Sequence, residues 1–459
     1  MESADLAFAG VVRQAELIRS GEVSSRELVE LYLERIARLQ PELNCYSNVM
    51  AERALLDAEQ ADARRRADGD RPLLGVPIAV KEMHDVAGEV TTLGTAAHDH
   101  QPAQEDGEMV RLLRAAGAVI VGKTTTPELA IIGDTEGPAF GVTRNPWNSD
   151  RSVGGSSGGS GAAVAAGLCA AATASDGAGS IRNPGAWCGL FGLKPQRDRI
   201  SLGPHTEHWH GLSVNGFLTR TVQDTALLVD LTAQTRTARP LAEAARSAPG
   251  PLRIGVTTRS PWPVPVAASM KGHLDETAGL LRALGHTVQP VEPPHGLVAN
   301  AINVRFLRGA ADDARAVPRP DRLARRTRGF ARMGRVFPDG ALRWAIREGD
   351  RLAERVARLF RDHDVLLTPI STRPQVKAGK WEGMSAPRTA LEMTSVFPFQ
   401  VPWNMTGQPA ATVPVASTAG GMPVGMQLVG RPNDEPTLVS LAAQLESELR
   451  WPDHRPPVA

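Results

Sequence analysis

LLGVPIAVKEM, residues 73–83, is followed after a polar interval by EMVRLLRAAG at 108–117 and AVIVGK at 118–123. The first and third stretches are compact apolar runs rich in valine and isoleucine, the composition of buried strands. The middle stretch spaces its apolar residues along one face of a helix. Strand, helix and strand in succession predict an α/β fold, with Lys81 at the end of the first strand.

On the N-terminal side, Ser24 and Glu27 have the S-x-x-E spacing of a capping box and open a helix with an apolar face of Leu28, Leu31, Tyr32, Ile36 and Leu39. A second helix is predicted over about 50–68. On the C-terminal side, a Gly/Ser tract at 154–161 runs into the alanine-rich AAVAAGL, and the proline-rich SAPGPLRIGVTTRSPWPVPV (247–266) reads as a connector. Residues 340–362 form a long amphipathic pattern. VLLTPI (365–370), ATVPVAS (411–417) and GMQLVG (425–430) read as strands before a last helix at 435–449. Seven arginines between Arg319 and Arg335 read as a solvated helical face rather than an anion site.

The 459 residues are 42% hydrophobic, enough for a large core, and 51 basic against 50 acidic side chains leave no field to steer the chain to nucleic acid or anionic lipid. A small, nearly neutral ligand fits better. No apolar run approaches the roughly 20 residues that span a bilayer, and MESADLAFAG lacks the regions of a signal peptide. A cytoplasmic protein with no membrane partner, monomeric or homodimeric, is expected. Cys45, Cys169 and Cys188 are odd in number and lack a CxxC pair, which suits a reducing compartment and implies no disulfide. Only Lys81, Lys123, Lys194, Lys271, Lys377 and Lys380 are lysines, so arginine is the default cation, as genomic base composition alone could make it. A lysine kept in a catalytic-looking segment can still do what a guanidinium cannot, namely lose its proton.

Three motif matches are decoys. GAVIVGKT (117–124) fits the P-loop pattern, but its interior is a strand core and Pro127 follows closely, where a phosphate cradle needs a loop and then a helix. Ser156 and Ser157 each satisfy G-x-S-x-G, yet the preceding NPWNSDRSV (145–153) reads as a turn and not as the strand of a nucleophile elbow. His205, His208 and His210 could seat a metal, but no acidic or thiol ligand has an obvious place beside them, so no metal or other cofactor is implied.

What remains is a constellation: Lys81, then GGSSGGSG around Ser156, then SDGAGSIR around Ser180. These strings and their spacing resemble the amidase-signature family. So do NPW (145–147), CGLFGLKP (188–195), GLSVNGFLTRTVQD (211–224), NMTGQPAATVP (404–414) and GMPVGMQLVGRPNDE (421–435). The resemblance implies one α/β domain over 1–459, a central mixed β-sheet covered by helices. Its signature core spans about 70–230, and a more variable helical region about 240–390. It also implies a cis peptide between Gly155 and Ser156.

Cleaving an amide by acyl transfer needs an activated nucleophile, a base that later returns its proton to the leaving nitrogen, and donors for the developing oxyanion. Small residues at Gly177, Ala178 and Gly179 let backbone N–H groups converge with that of Ser180, the expected nucleophile at a helix start. No histidine occupies a motif position for the base. Lys81 resembles the family's catalytic lysine and must be neutral, which desolvation by GVPIAV can achieve. Ser156 bridges the two, Asp176 and Arg182 are expected to support the loop as an ion pair, and Ser157 is expected to donate behind the site. Ala178 and Asn183 depart from the commoner D-T-G-G-S and S-I-R-x-P-A patterns.

The resemblance implies an amidohydrolase that also cleaves esters. The alternatives are the glutamine-hydrolysing subunit of a tRNA-dependent amidotransferase, whose F-A-S-S-L-D-Q-type stretch is missing from 194–221, and a non-catalytic scaffold. Ala130, Ile131, Ile132 and Gly133 resemble the substrate-facing loop, and their apolar character favours aryl amides or carbamates (urethanes) over charged amides.

Overall fold

The two apolar runs that flank the helix Glu108–Ala115 are the strands Pro77–Lys81 and Val119–Thr124. In the computed structural model, which describes residues 3–65 and 71–458, they pair in parallel with Ile78 opposite Ile120 and Lys81 opposite Thr124. Parallel neighbours need such a crossover, because a tight turn cannot join them.

These strands belong to an eleven-stranded sheet. In chain order its members are β1 (Tyr46–Val49), β2 (Pro77–Lys81), β3 (Val119–Thr124), β4 (Ala171–Asp176), β5 (Phe191–Lys194), β6 (Val214–Thr219), β7 (Arg253–Val256), β8 (Thr287–Pro290), β9 (Val365–Pro369), β10 (Ala410–Ser417) and β11 (Pro423–Gly430). Across the sheet the order is β1-β3-β2-β4-β6-β5-β10-β11-β9-β7-β8. Pairing is parallel at β3-β2-β4 and at β9-β7-β8, and antiparallel elsewhere. The sheet is therefore mixed. Every residue of β2, β3, β6, β9 and β11 is buried, which explains their largely apolar sequences between covering helices.

The helices used below are α1 (Ser25–Leu43), α2 (Gly158–Ala165), α3 (Arg182–Cys188), α4 (Val298–Ala316), α5 (Arg325–Arg335), α6 (Asp339–Asp362) and α7 (Ala386–Val396). The capping box at α1 is formed: Ser24 Oγ accepts from Glu27 N at 3.1 Å and Ser24 N donates to Glu27 Oε2 at 2.7 Å. In α2 no side chain exceeds valine and all eight residues are buried, so the Gly/Ser tract becomes a helix in the core. The second predicted helix runs Ala51–Arg64, and residues 66–68 lie outside the described residues. The long helix and the last helix, Glu435–Leu449, have the expected limits.

Two expectations change. The supposed connector at 247–266 contains β7, whose RIGV segment is inserted between β9 and β8; flanking prolines obscured a short buried strand. NPWNSDRSV is a hairpin, with Arg144–Asn145 paired to Asn148–Ser152, so a strand does precede Ser156. That strand lies outside the main sheet, and α2 begins only after Ser157. The arginine-rich stretch forms α5, with Arg325, Arg328, Arg332 and Arg335 exposed and Phe330 buried, while Arg326 turns inward to Glu136 at 2.8 Å.

Candidate active site

β2 lies beside β4 in parallel, and strand alternation puts Thr173 and Ser175 on one face of β4. Lys81 N donates to Thr173 Oγ1 at 2.8 Å, and Lys81 Nζ donates to Ser175 Oγ at 2.9 Å and Ser156 Oγ at 2.8 Å. The lysine is fully buried and the atoms it bonds are hydroxyls, not carboxylates. Burial pushes its pKa down to about 7, against the opposing pull of Asp176.

The Gly155–Ser156 peptide is cis. Ser156 O accepts from Thr126 Oγ1 at 2.9 Å. Ser157 joins three segments: its amide donates to Ser180 O at 3.3 Å, its hydroxyl donates to Ser175 O at 3.2 Å, and the same hydroxyl accepts from Ser175 N at 3.3 Å. Ser180 thus reaches the Ser156 segment through the backbone, and no hydrogen bond links the two hydroxyls.

Asp176, at the end of β4, organises the loop. Arg182 Nη2 donates to Asp176 Oδ1 at 2.8 Å and Arg182 Nε to Oδ2 at 2.9 Å, a buried two-point ion pair. Arg182 also donates to Gln427 Oε1 at 2.7 Å and Asn404 Oδ1 at 2.6 Å. Burial works to raise the Asp176 pKa, but Arg182 and the Asn404 amide outweigh it and hold the carboxyl well below its ordinary range. The amide of Gly179, at φ +118°, donates to Asp176 Oδ1 at 2.6 Å. That amide is engaged, which removes it from the expected set of oxyanion donors. The amides of Gly177, Ala178 and Ser180 donate to no protein acceptor among the described residues.

Ser180, Ala178 and Asn183 line a cavity of about 440 Å³, as do Ala130, Ile131, Ile132 and Gly133 of the expected substrate loop. The opposite wall comes from Phe306 on α4, Met333 on α5 and Met393 on α7. Among the described residues no Asp, Glu, Lys, Arg or His lines it.

The histidine triplet lies elsewhere, in a second cavity of about 570 Å³. Contrary to the sequence reading, acidic partners stand beside it: His208 Nε2 is 3.2 Å from Asp313 and His210 Nε2 is 3.2 Å from Asp312. These residues are remote in sequence, on α4. Among the described residues no three His, Cys, Asp or Glu side chains are grouped to hold a metal ion. The P-loop match is the buried strand β3, with Lys123 Nζ donating to Thr91 Oγ1 at 2.7 Å.

The sequence model of the Amidase family matches residues 27–439. The chain belongs to the amidase-signature family. It is an amidase, a hydrolase of carbon–nitrogen bonds, and its relatives extend over its full length. AmiB2 of Mycobacterium tuberculosis is 49% identical over 467 residues, with both chains wholly covered. The 6-aminohexanoate-cyclic-dimer hydrolase of Paenarthrobacter ureafaciens is 34% identical, covering 99% of this amidase and 98% of the relative. A solved structure of 6-aminohexanoate cyclic dimer hydrolase with substrate superposes with a TM-score of 0.90 at 32% identity, over 98% of this chain and 99% of that one. A bacterial aryl acylamidase shares the fold, with a TM-score of 0.88 at 22% identity over 97% and 99% of the two chains. No helix among the described residues of the amidase is long and apolar enough to cross a membrane.

Thr173, Ser175, Asn404 and Gln427 escaped the sequence reading. Ser175 sits inside the quoted SDGAGSIR, and period-two alternation back from it could have pointed to Thr173. Asn404 opens a quoted string, but nothing local links it to a residue 228 positions earlier.

Proposed function

We propose that this amidase hydrolyses uncharged amides, and with them esters and aryl carbamates, through an acyl-enzyme on Ser180. The observation that carries this reading is Lys81, fully buried and bonded to Ser156 Oγ at 2.8 Å with no carboxylate to hold its proton. Ser180 Oγ attacks the carbonyl carbon. Its proton passes to Ser156 Oγ as the Ser156 proton passes to neutral Lys81 Nζ. The amides of Ala178 and Ser180, with that of Gly177, receive the oxyanion, each such donor being worth about 3 kcal/mol in the transition state. Collapse breaks the C–N bond, and the departing nitrogen takes a proton back along the same relay. Water then attacks the ester with the relay as base, and the carboxylic acid leaves. Asp176, Arg182 and Ser157 touch no reacting atom and act by fixing the loop.

The cavity supports the substrate class. With no ionisable side chain on its walls among the described residues, it offers a charged acyl group no partner and leaves its desolvation uncompensated. Testing p-nitroanilide, p-nitrophenyl ester and aryl carbamate substrates against wild type and Ser180→Ala decides the reading. Wild type should cleave neutral members of the set. Ser180→Ala should fall below about 1% of that rate on every one while keeping its melting temperature, and residual amidase activity above that level would contradict the assignment.

A further inference from the structure

Trp209 lines both cavities. Trp209 is 6% exposed, and its indole is wedged between two backbones that have no room for a side chain. A Cβ on Gly177, in the loop before Ser180, would lie 2.8 Å from Trp209 Cε3, and one on Gly309 of α4 would lie 2.6 Å from Cδ1. Trp209 Nε1 donates to Asp313 Oδ2 at 2.6 Å, which fixes the ring against rotation. The imidazole of His208 stacks on the indole with ring centroids 5.3 Å apart, and Phe306 meets the indole edge-on at 5.0 Å. Trp209 itself has φ +53°, uncommon for a bulky residue, so the chain is bent to aim this side chain.

The spaces on the two sides differ in charge. Among the described residues no ionisable side chain lines the chamber at Ser180. The other is lined by Asp85, Asp99, Glu207, Asp312 and Asp313, by five histidines and, among the described residues, by no lysine or arginine. It also reaches Ser175, whose hydroxyl holds Lys81 Nζ at 2.9 Å. A cation entering the Ser180 chamber would lose its hydration without gaining a partner, although carboxylates stand just beyond the indole.

We propose that Trp209 is a specificity-determining wall: it closes the uncharged chamber at Ser180 against the acidic chamber behind it and so restricts the enzyme to substrates without a cationic tail. This rests on the reading of Ser180 given above. Removing the indole joins the chambers and lets an ammonium-bearing acyl chain reach the carboxylates. The ring, not its N–H, does the excluding, since it fills the gap between Gly177 and Gly309.

The test compares a straight-chain acyl p-nitroanilide with the same compound ending in an ammonium group. In Trp209→Ala the ratio of kcat/KM for the charged over the neutral substrate should rise at least about tenfold, while in Trp209→Phe, which keeps an aromatic plug, it should stay within about twofold of wild type. Equal losses on both substrates in Trp209→Ala, or a shift in Trp209→Phe as large as in Trp209→Ala, would overturn the wall. Gly309→Ala covers the case in which Trp209→Ala does not fold, because its methyl, 2.6 Å from Trp209 Cδ1, displaces the ring; an unchanged ratio there would also overturn it. If wild type cleaves neither compound, the Ser180 reading fails separately. The ratio of dissociation constants for the corresponding amides, measured on Ser180→Ala with and without the Trp209 change, then decides the wall by the same criterion.

Discussion

Lys81 ends β2 and Lys123 stands one residue before the end of the adjacent parallel β3; both are fully buried, yet their surroundings set them to opposite tasks. Lys123 Nζ lies 3.7 Å from the Glu82 carboxylate and donates to Val90 O and Thr91 Oγ1. Burial lowers its pKa too, but Glu82 leads several acidic groups that pull it back. Lys81 touches only hydroxyls, and its one acidic influence, Asp176, is already paired with Arg182. Burial alone therefore does not make a lysine a base. The absence of a carboxylate in contact does, because the ammonium then has nothing to offset the loss of water.

Three substitutions break or sharpen this contrast. The largest effect is expected from Lys81→Arg, which keeps the charge and cannot accept a proton near neutral pH. Steady-state rates on amides should fall by about 10³ or more, as far as in Lys81→Ala. Activated p-nitrophenyl esters should suffer less, because nitrophenolate leaves without a returned proton. Lys81→Arg with most of its amidase activity would refute the base assignment. Lys123→Met should do the reverse, lowering unfolding free energy by about 3 kcal/mol because the buried Glu82 carboxylate, still held by Ser47 and Thr92, loses its cation, while the folded enzyme keeps its pH profile. Denaturant unfolding beside kinetics separates the two, and a changed pH profile with unchanged stability would invert the contrast. The smallest effect belongs to Ser175→Ala. Its hydroxyl accepts from Lys81 Nζ, an interaction that favours the ammonium, so its loss should move the rising limb of kcat/KM to slightly lower pH. Movement to higher pH would contradict that role.

What was legible in the sequence follows the same division between local and distant causes. Apolar runs bounded by glycine gave β2 and β3, and the S-x-x-E spacing gave the start of α1, because those signals lie within a few residues of the structure they cause. The RIGV strand was hidden by its prolines, and the hairpin at 144–152 by its polar, asparagine-rich text. Family resemblance brought Lys81, Ser156 and Ser180 forward together. It did not show that Lys81 also holds Ser175, that Gly179 spends its amide on Asp176, or that Asp312 and Asp313 stand behind the histidines. Each of these depends on chain segments that only the folded sheet and α4 bring together.

The most direct test of the central claim, that Lys81 is a neutral base, is the pH dependence of kcat/KM for a neutral p-nitroanilide. A lysine whose pKa burial has pushed down to about 7 must lose its proton before it can accept one from the relay. The rate should therefore rise with pH through an apparent pKa near that value, belonging to the coupled Lys81, Ser156 and Ser180 network, and then level. Lys123→Met should trace the same curve. A profile flat from about pH 6 to 9 would contradict the account, leaving Lys81 a fixed cation and Ser180 in need of another activator.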